Sequence, residues 1–382
     1  MSRAAVAAAR RAGYVAVDCI AAFCPGSGDG IIRPMRDLDA PLTVADFEPL
    51  ARARMDPGAW DYYAGGAGDE ISLADAHAAW DRLRLRPRVL ADVAMRDLST
   101  AAFGRMLPHP IVVAPMAAHD LAHADAERAT ANGAADAGAL FTLSTISSVP
   151  MEEVASLRPE APRWFQLYAP TDREACRDLV DRAAAAAYAA VVVTVDLPLP
   201  GNRERDLRNG FVLHMGTHLP EDQPTDERGI VVLPTMTWDD LAWLGSVCSV
   251  PVLAKGILRA DDAVRAVESG CAGIWVSNHG GRQLDTAIAG VEALPEIAAA
   301  VGDRALIVVD GGVRRGIDVL KGIALGANLV AVGRPVLWGL AVDGADGVRR
   351  LLEILRDELS LAMALSGVRS VGEITPDLVR EA

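Results

Sequence analysis

Aromatic side chains are scarce in this 382-residue chain, with seven Trp, five Tyr and six Phe making up 5% of it. A core of any size must therefore be filled by Ala, Val and Leu, and an apolar content of 51% supplies enough of them. Positive charge is also in short supply. Against 51 Asp and Glu stand 37 Lys and Arg, a formal net charge of −14 with an isoelectric point near 5.0. That balance repels nucleic acid and anionic membrane surfaces, so neither is expected as a partner. The five cysteines (Cys19, Cys24, Cys176, Cys248 and Cys271) are odd in number and lack the paired spacing of a metal site. A reducing cytoplasm is the expectation. No apolar run approaches the roughly 20 residues of a membrane-spanning helix. Val15–Phe23, behind Arg3, Arg10 and Arg11, is interrupted by Asp18 and has no cleavage site, so it does not read as a signal peptide. Residues 1–42, with their Gly- and Pro-rich end, read as a flexible leader, and residues 43–382 as the ordered domain.

From Ile111 onward the chain keeps a regular beat. Strand-like runs fall at Ile111–Met116, Leu140–Ser144, Trp164–Tyr168, Ala190–Asp196, Val250–Lys255, Gly273–Asn278, Ala305–Asp310 and Asn328–Gly333. Most are continuous and β-branched, as strands buried on both faces require. Helical patterns lie between them: Asp125–Ala137 before Gly138, Asp261–Ser269 before Gly270, and Arg315–Ala324 before Leu325-Gly326. Another spans Thr171–Ala187, where Thr171 and Glu174 predict a capping box. Eight strands alternating with helices predict an α/β fold, a (β/α)8 TIM barrel. The rival, an open doubly wound sheet, lacks its Gly-x-Gly-x-x-Gly turn after the first strand. A short helical extension precedes the barrel, with helices over Thr43–Met55 and Asp69–Asp81 separated by Trp60-Asp61-Tyr62-Tyr63 and Gly65-Gly66-Ala67-Gly68. The connection from Asp196 to Val250, about fifty residues, is long enough to be a lid or a disordered segment.

Barrels of this kind place their chemistry at the carboxyl ends of the strands. Here those ends carry Pro115-Met116-Ala117, Ser144, Gln166 with Tyr168, Thr194 with Asp196, Lys255, Ser277 with His279 and Arg282, Asp310-Gly311-Gly312, and Gly333-Arg334. A single Lys or Asp at a strand end is usually half of an ion pair, but a full ring of polar ends is not. In Ser277–Asp285 the histidine is a titratable base beside a permanent cation, and the glycines let backbone approach a ligand closely. That equipment suits removal of a proton from a small anion. Asp310-Gly311-Gly312-Val313-Arg314 and Gly333-Arg334-Pro335 follow the last two strands, where glycine N–H groups and arginine cradle phosphate. His119 and His123 sit four apart, but no third ligand accompanies them, so no metal is expected; His119 is close enough to the end of the first strand to be a substrate contact.

Ser-Asn-His-Gly-Gly-Arg-Gln-Leu-Asp (277–285), Asp-Gly-Gly-Val-Arg (310–314), Gly-Arg-Pro (333–335), Phe-Gln-Leu-Tyr (165–168) and Thr-Val-Asp (194–196) together resemble the FMN-dependent 2-hydroxy-acid oxidase and dehydrogenase family, which includes glycolate oxidase, lactate oxidase and mandelate dehydrogenase. The likeness runs from about Thr43 to the end. It implies a barrel with FMN across its mouth, oxidising an L-2-hydroxy acid to the 2-oxo acid with O2 or another group as electron acceptor. His279 would be the base and Asp196 its orienting carboxylate. Arg203 and Arg282 would clamp the substrate carboxylate, Tyr168 would bind its hydroxyl, and Lys255 would stabilise the reduced ring. Pro115, Met116, Ala117, Ser144, Gln166, Thr194 and Ser277 would line the isoalloxazine and ribityl, with Asp310, Gly311, Gly312, Arg314, Gly333 and Arg334 on ribityl and phosphate. The resemblance also implies a homotetramer or homo-octamer.

Some positions depart from the glycolate-oxidase pattern. Trp60 takes the place of a carboxylate-binding tyrosine, Ala117-Ala118 are small, and Ile146 stands for a bulky tryptophan. These changes point to a larger, mandelate-like side chain, and the Trp-Asp, Gly-Gly-Ala-Gly and His119-x-x-x-His123 context resembles the hydroxymandelate-oxidase branch. Two alternatives stay open: FMN-dependent oxidation of an amine or modified peptide, which Trp60 keeps in play, and a barrel that binds FMN or a phosphorylated metabolite without redox turnover. No haem-bearing domain is expected before Thr43.

Overall fold

Continuous Val, Ile and Leu runs bury both faces of each strand, and the sheet they make closes on itself. The computed structural model describes residues 40–214, 216–219 and 222–381, so the expected 1–42 leader lies outside them except for its last three residues. Eight parallel strands form the barrel: β1 (Ile111–Val113), β2 (Leu140–Ser144), β3 (Arg163–Leu167), β4 (Val191–Thr194), β5 (Val252–Ile257), β6 (Gly273–Val276), β7 (Leu306–Val309) and β8 (Leu329–Val332). They pair in chain order, and β8 returns to β1 through Val330 opposite Ile111 and Val332 opposite Val113.

Side chains alternate across each strand. On β4, Val191 and Val193 pack outward against the helical layer, and Val192 joins the barrel interior. Ile274 and Val276 on β6 face outward in the same way, and Trp275 faces inward with Leu253 of β5 and Val308 of β7. The interior is closed at the strands' amino ends by an antiparallel hairpin, Thr100–Ala102 with Arg105–Leu107. Its Ala102 and Leu107 belong to the interior cluster, and the Phe103 ring lies 5.7 Å from that of Trp164. No sequence signal pointed to this plug.

Three helices precede the barrel: α1 (Val44–Arg52), α2 (Pro57–Ala64) and α3 (Ile71–Asp81). Asp56 starts α2 by accepting from Gly58 N at 2.8 Å, with Pro57 at the first helical position. The helix after β3 begins one step later than its expected cap. It spans Arg173–Ala185, and Asp172, not Thr171, accepts from Glu174 N at 2.9 Å. The carboxylate is the stronger acceptor for these N–H groups, so the Thr171–Glu174 box does not form. The long connection is not featureless either: it contains a short helix, Glu204–Asn209, and a bridge between Thr225 and Val231. Among the described residues no helix is long and apolar enough to cross a membrane.

Helix α3 is tied to the loop after β7. Trp80, fully buried, donates from Nε1 to Gly311 O at 2.7 Å, and its own carbonyl accepts from Lys321 Nζ at 2.7 Å. A Cβ on Gly312 (φ +75°) would lie 1.8 Å from Ala76 O, so only glycine lets the turn meet the helix. We predict that Trp80→Ala lowers stability by about 3–5 kcal/mol through lost packing. Trp80→Phe should cost about 1 kcal/mol for the hydrogen bond alone. Urea-unfolding midpoints of the two variants check the ranking.

Candidate active site

The alternation that fills the barrel interior also builds its mouth. On β4 to β7, two residues beyond an inward apolar side chain the next inward position reaches the carboxyl end, and there the residue is polar. Leu253 is followed by Lys255, Val192 by Thr194, Val308 by Asp310, and Trp275 by Ser277. These ends meet at one cleft. Its lining includes Pro115, Met116, Ala117, Ser144, Gln166, Tyr168 and Thr194 from the first four strands. From the others come Lys255, His279, Arg282, Asp310, Gly311, Gly312, Arg314, Gly333 and Arg334, with Arg203 from the long connection.

His279 Nδ1 lies 2.9 Å from Asp196 Oδ1, an acceptor, so Nδ1 carries the proton and Nε2 is left with its lone pair. Burial holds the imidazole below its usual pKa of 6.5, outweighing the opposing pull of Asp196, so His279 is a free base at neutral pH. Burial would raise the Asp196 carboxyl, but the charge and hydrogen bond of His279 and the charge of Lys255 hold it below the usual range. Asp196 has its room because of Gly256. A β-bulge interrupts β5 between Lys255 and Ile257, Gly256 sits at φ +111°, and a Cβ there would come within 2.4 Å of the Asp196 side chain. His279 is itself left-handed (φ +57°), its N–H donating to Ser277 Oγ at 3.1 Å.

The cations come next. Arg203 is buried, donates from Nε to Arg282 O at 3.3 Å, and is held down to about 10 by burial and by the Arg282 charge. Arg282 lies 4.8 Å above the Tyr62 ring and donates to the carbonyls of Tyr62 and Gly65. Among the described residues neither arginine has a carboxylate partner in a salt bridge. Asp206 acts on both only through its charge, so two guanidiniums face one cleft with no carboxylate in contact, a site for a substrate carboxylate. The Tyr168 phenol, pushed up by burial, stands over the same space and donates to no protein group among the described residues.

On the opposite side the cleft ends at Arg314, Gly311, Gly312 and the start of the helix Arg334–Leu365. Arg314 and Arg334 are partly buried, both driven down by desolvation, and Arg334 further by the charges of Arg282, Arg314 and Arg203. Neither has a salt-bridge partner among the described residues. Nearby, Asp310 Oδ1 is buried without a hydrogen-bond partner, a waiting acceptor for a hydroxyl. Uncompensated cations, a helix N-terminus and an orphan carboxylate oxygen suit a ligand with hydroxyls and a phosphate, so an FMN-like group fits these residues.

Several expected contacts sit elsewhere. Trp60 is in the buried core and does not line the cleft. Two residues along a helix are about 200° apart, so Tyr62 faces the mouth and Trp60 faces away. Ser277 is one layer back, accepting from Lys255 Nζ at 3.1 Å as well as from His279. The Arg334 guanidinium is occupied by the carbonyls of Tyr63, Gly65 and Gly280 at 2.8, 3.0 and 2.8 Å, so it offers a ligand charge more than free donors. His119 is buried against Thr130 Oγ1 at 2.8 Å and lines no part of the cleft. Among the described residues no group of three or more His, Cys, Asp or Glu is placed to hold a metal ion.

The sequence reading missed Tyr62 and Tyr63. Their signal was the paired tyrosines running into Gly65-Gly66; the carbonyls of Tyr62, Tyr63 and Gly65 turn out to hold Arg282 and Arg334. Leu213 and Ile230 also line the cleft. They come from the long connection, where local pattern carries no sign of which residues fold back.

A family model described as FMN-dependent dehydrogenase matches residues 51–381. An L-lactate oxidase of Nostoc sp. is 47% identical over 358 residues, 89% of this chain and 98% of that protein. The human 2-hydroxyacid oxidase 1 is 44% identical over 357 residues, 89% of this chain and 96% of its own. Among solved structures, mandelate oxidase with (S)-2-phenylpropionate superposes with a TM-score of 0.81 at 44% identity, covering 89% of this chain and 98% of that one.

Gly256→Ala is predicted to push Asp196 off His279. The variant should lose about 10²–10⁴-fold in kcat, the range for misplacing a carboxylate that orients a histidine base. Its KM should change little, because both arginines stay in place. Steady-state kinetics with the best substrate check this split.

Proposed function

The chain belongs to the FMN-dependent dehydrogenase family and is an FMN-dependent 2-hydroxy-acid oxidoreductase; from that premise we propose that its substrate is an aryl-bearing L-2-hydroxy acid of the mandelate type. The observation that carries the proposal is a single cleft lined by a free-base His279 and by two arginines that, among the described residues, have no carboxylate in salt-bridge contact. Bound FMN supplies the acceptor for the substrate's two electrons. Arg203 and Arg282 bind the carboxylate, their charges no longer opposing each other once an anion lies between them. Tyr168 holds the substrate hydroxyl. His279 Nε2 takes a proton from the substrate, and the Asp196 carboxylate stabilises the imidazolium that results. Lys255, buried at the end of β5, adds positive charge where negative charge collects on reduction.

The side-chain class is argued from the cleft's apolar wall. Ala117 is small, and Ile146, Leu197, Leu213 and Ile230 add apolar side chains to the lining of the same cleft. A phenyl ring gains from such a wall about 25 cal/mol per Å² of buried area, which a glycolate hydrogen does not. The likeness to mandelate oxidase supports the same class. The amine or modified-peptide alternative rested on Trp60, which lies outside the cleft, and so has lost its residue. We propose dioxygen as the electron acceptor, in keeping with the oxidase names of the relatives. We also propose a cytoplasmic homo-oligomer. The exposed Val89, Leu90, Met95, Leu361 and Leu365 offer apolar surface for self-association.

Anaerobic titration of the purified yellow protein tests the substrate class. L-mandelate and 4-hydroxymandelate should bleach the flavin faster than glycolate or L-lactate, and the reverse order would sink the aryl assignment. His279→Ala should keep its colour and stay oxidised under the same substrate; full bleaching would remove His279 as base. With His279 held below 6.5 by burial, the acid limb of kcat/KM should fall below that pH. Asp196→Asn removes a charge that raises the imidazole, so its limb should move lower still while the plateau drops.

A further inference from the structure

One buried side chain lies against Lys255 and Asp310 without itself lining the cleft. Trp275 is the inward residue of β6, one layer below the mouth and fully buried. On the neighbouring strands that layer is filled by Leu253 and Val308, so packing alone calls only for an apolar side chain. An indole brings in addition one N–H, which must find a partner when buried. It donates from Nε1 to Asp310 Oδ2 at 2.9 Å. Lys255 Nζ stands 6.0 Å from the centre of the same ring and 3.7 Å from the same Oδ2.

The separation of the charges is informative. Charge-assisted N–H···O hydrogen bonds usually close to about 2.7–2.9 Å, so Lys255 and Asp310 form an ion pair at 3.7 Å without a direct hydrogen bond. The ammonium donates to Ser277 Oγ instead, at 3.1 Å. Oδ2 is committed to the indole, and Oδ1 is left buried, unpartnered and part of the ligand cleft. We infer that Trp275 is a positioning residue: its indole N–H fixes the Asp310 carboxylate, keeps it from closing onto Lys255 as a direct hydrogen-bonded pair, and thereby sets both the affinity for FMN and the two-electron potential of the bound flavin. The inference rests on the FMN-dependent reading of the site. Without the N–H, the carboxylate would swing onto Lys255. Oδ1 would then turn away from the ligand's hydroxyls, and less positive charge would face the reduced, anionic ring.

The test replaces Trp275 by its benzothiophene isostere, which keeps the shape and removes the N–H, with Trp275→Phe as the simpler companion. Loss of one buried hydrogen bond is worth about a fivefold effect. FMN should bind the apoprotein about fivefold more weakly. A fivefold loss of preference for the reduced form lowers the potential by about 20 mV, at 29.6 mV per tenfold for two electrons. Thermal stability of the isostere should stay close to that of the parent. In an Asp310→Ala background the same replacement should have no further effect on potential. An unchanged potential in the yellow isostere protein would overturn the inference, as would an equal shift in the Asp310→Ala background. Parent protein that takes up no FMN would overturn the family-based reading itself, and this inference with it.

Discussion

Closure of the eight-stranded sheet places every second side chain of each strand inside a space too narrow for water, and the order of residues along the strand then decides everything at the mouth. On β4 to β7 the last inward apolar side chain is followed two residues on by a polar one. Lys255 above Leu253, Asp310 above Val308 and Ser277 above Trp275 are three instances of one constraint. A slip of one residue in any strand would turn its polar end into the helical layer and an aliphatic one into the cleft. The parallel pairing that returns β8 to β1 holds all eight in register.

The cations at the mouth raise a second physical problem. Arg203, Arg282, Arg314 and Arg334 crowd one cleft of an acidic protein, and burial opposes the charge of at least three of them. Backbone carbonyls solve it. Tyr62, Tyr63, Gly65 and Gly280 accept from Arg282 and Arg334. Carbonyl dipoles hold a guanidinium in place without cancelling its charge, as a carboxylate would. The charge stays available to a substrate carboxylate and a cofactor phosphate. The extension before the barrel is therefore part of the site. Asp285 binds it from the other side, accepting from Asp69 N at 3.0 Å and Ser72 N at 2.9 Å at the head of α3.

Much of the site was legible because its residues lie in short contiguous motifs. Ser277–Asp285 carries the base, one arginine and the glycines within nine positions, and Asp310–Arg314 carries a second cluster. Each follows a strand that announces itself by β-branched composition. Trp60 was misread for a reason that local pattern cannot repair: it, Tyr62 and Tyr63 are all large aromatics within one helical turn, and only the way α2 packs decides which of them faces the mouth. Thr171 was a sound cap by its spacing and lost to Asp172, the better acceptor next to it.

By itself the sequence determined the barrel and the cationic, glycine-rich loops at its strand ends, which follow from periodicity and from groups adjacent along the chain; the pairing of His279 with Asp196, 83 positions apart, was implied by family resemblance and made by the fold. Tertiary structure decided the rest. It alone brought Leu213 and Ile230 across the mouth, opened space for Asp196 through the bulge at Gly256, and set the indole of Trp275 against Asp310 on the next strand. Those contacts join residues from about 35 to more than a hundred positions apart, and their geometry depends on how a closed sheet twists and packs, which no local preference encodes.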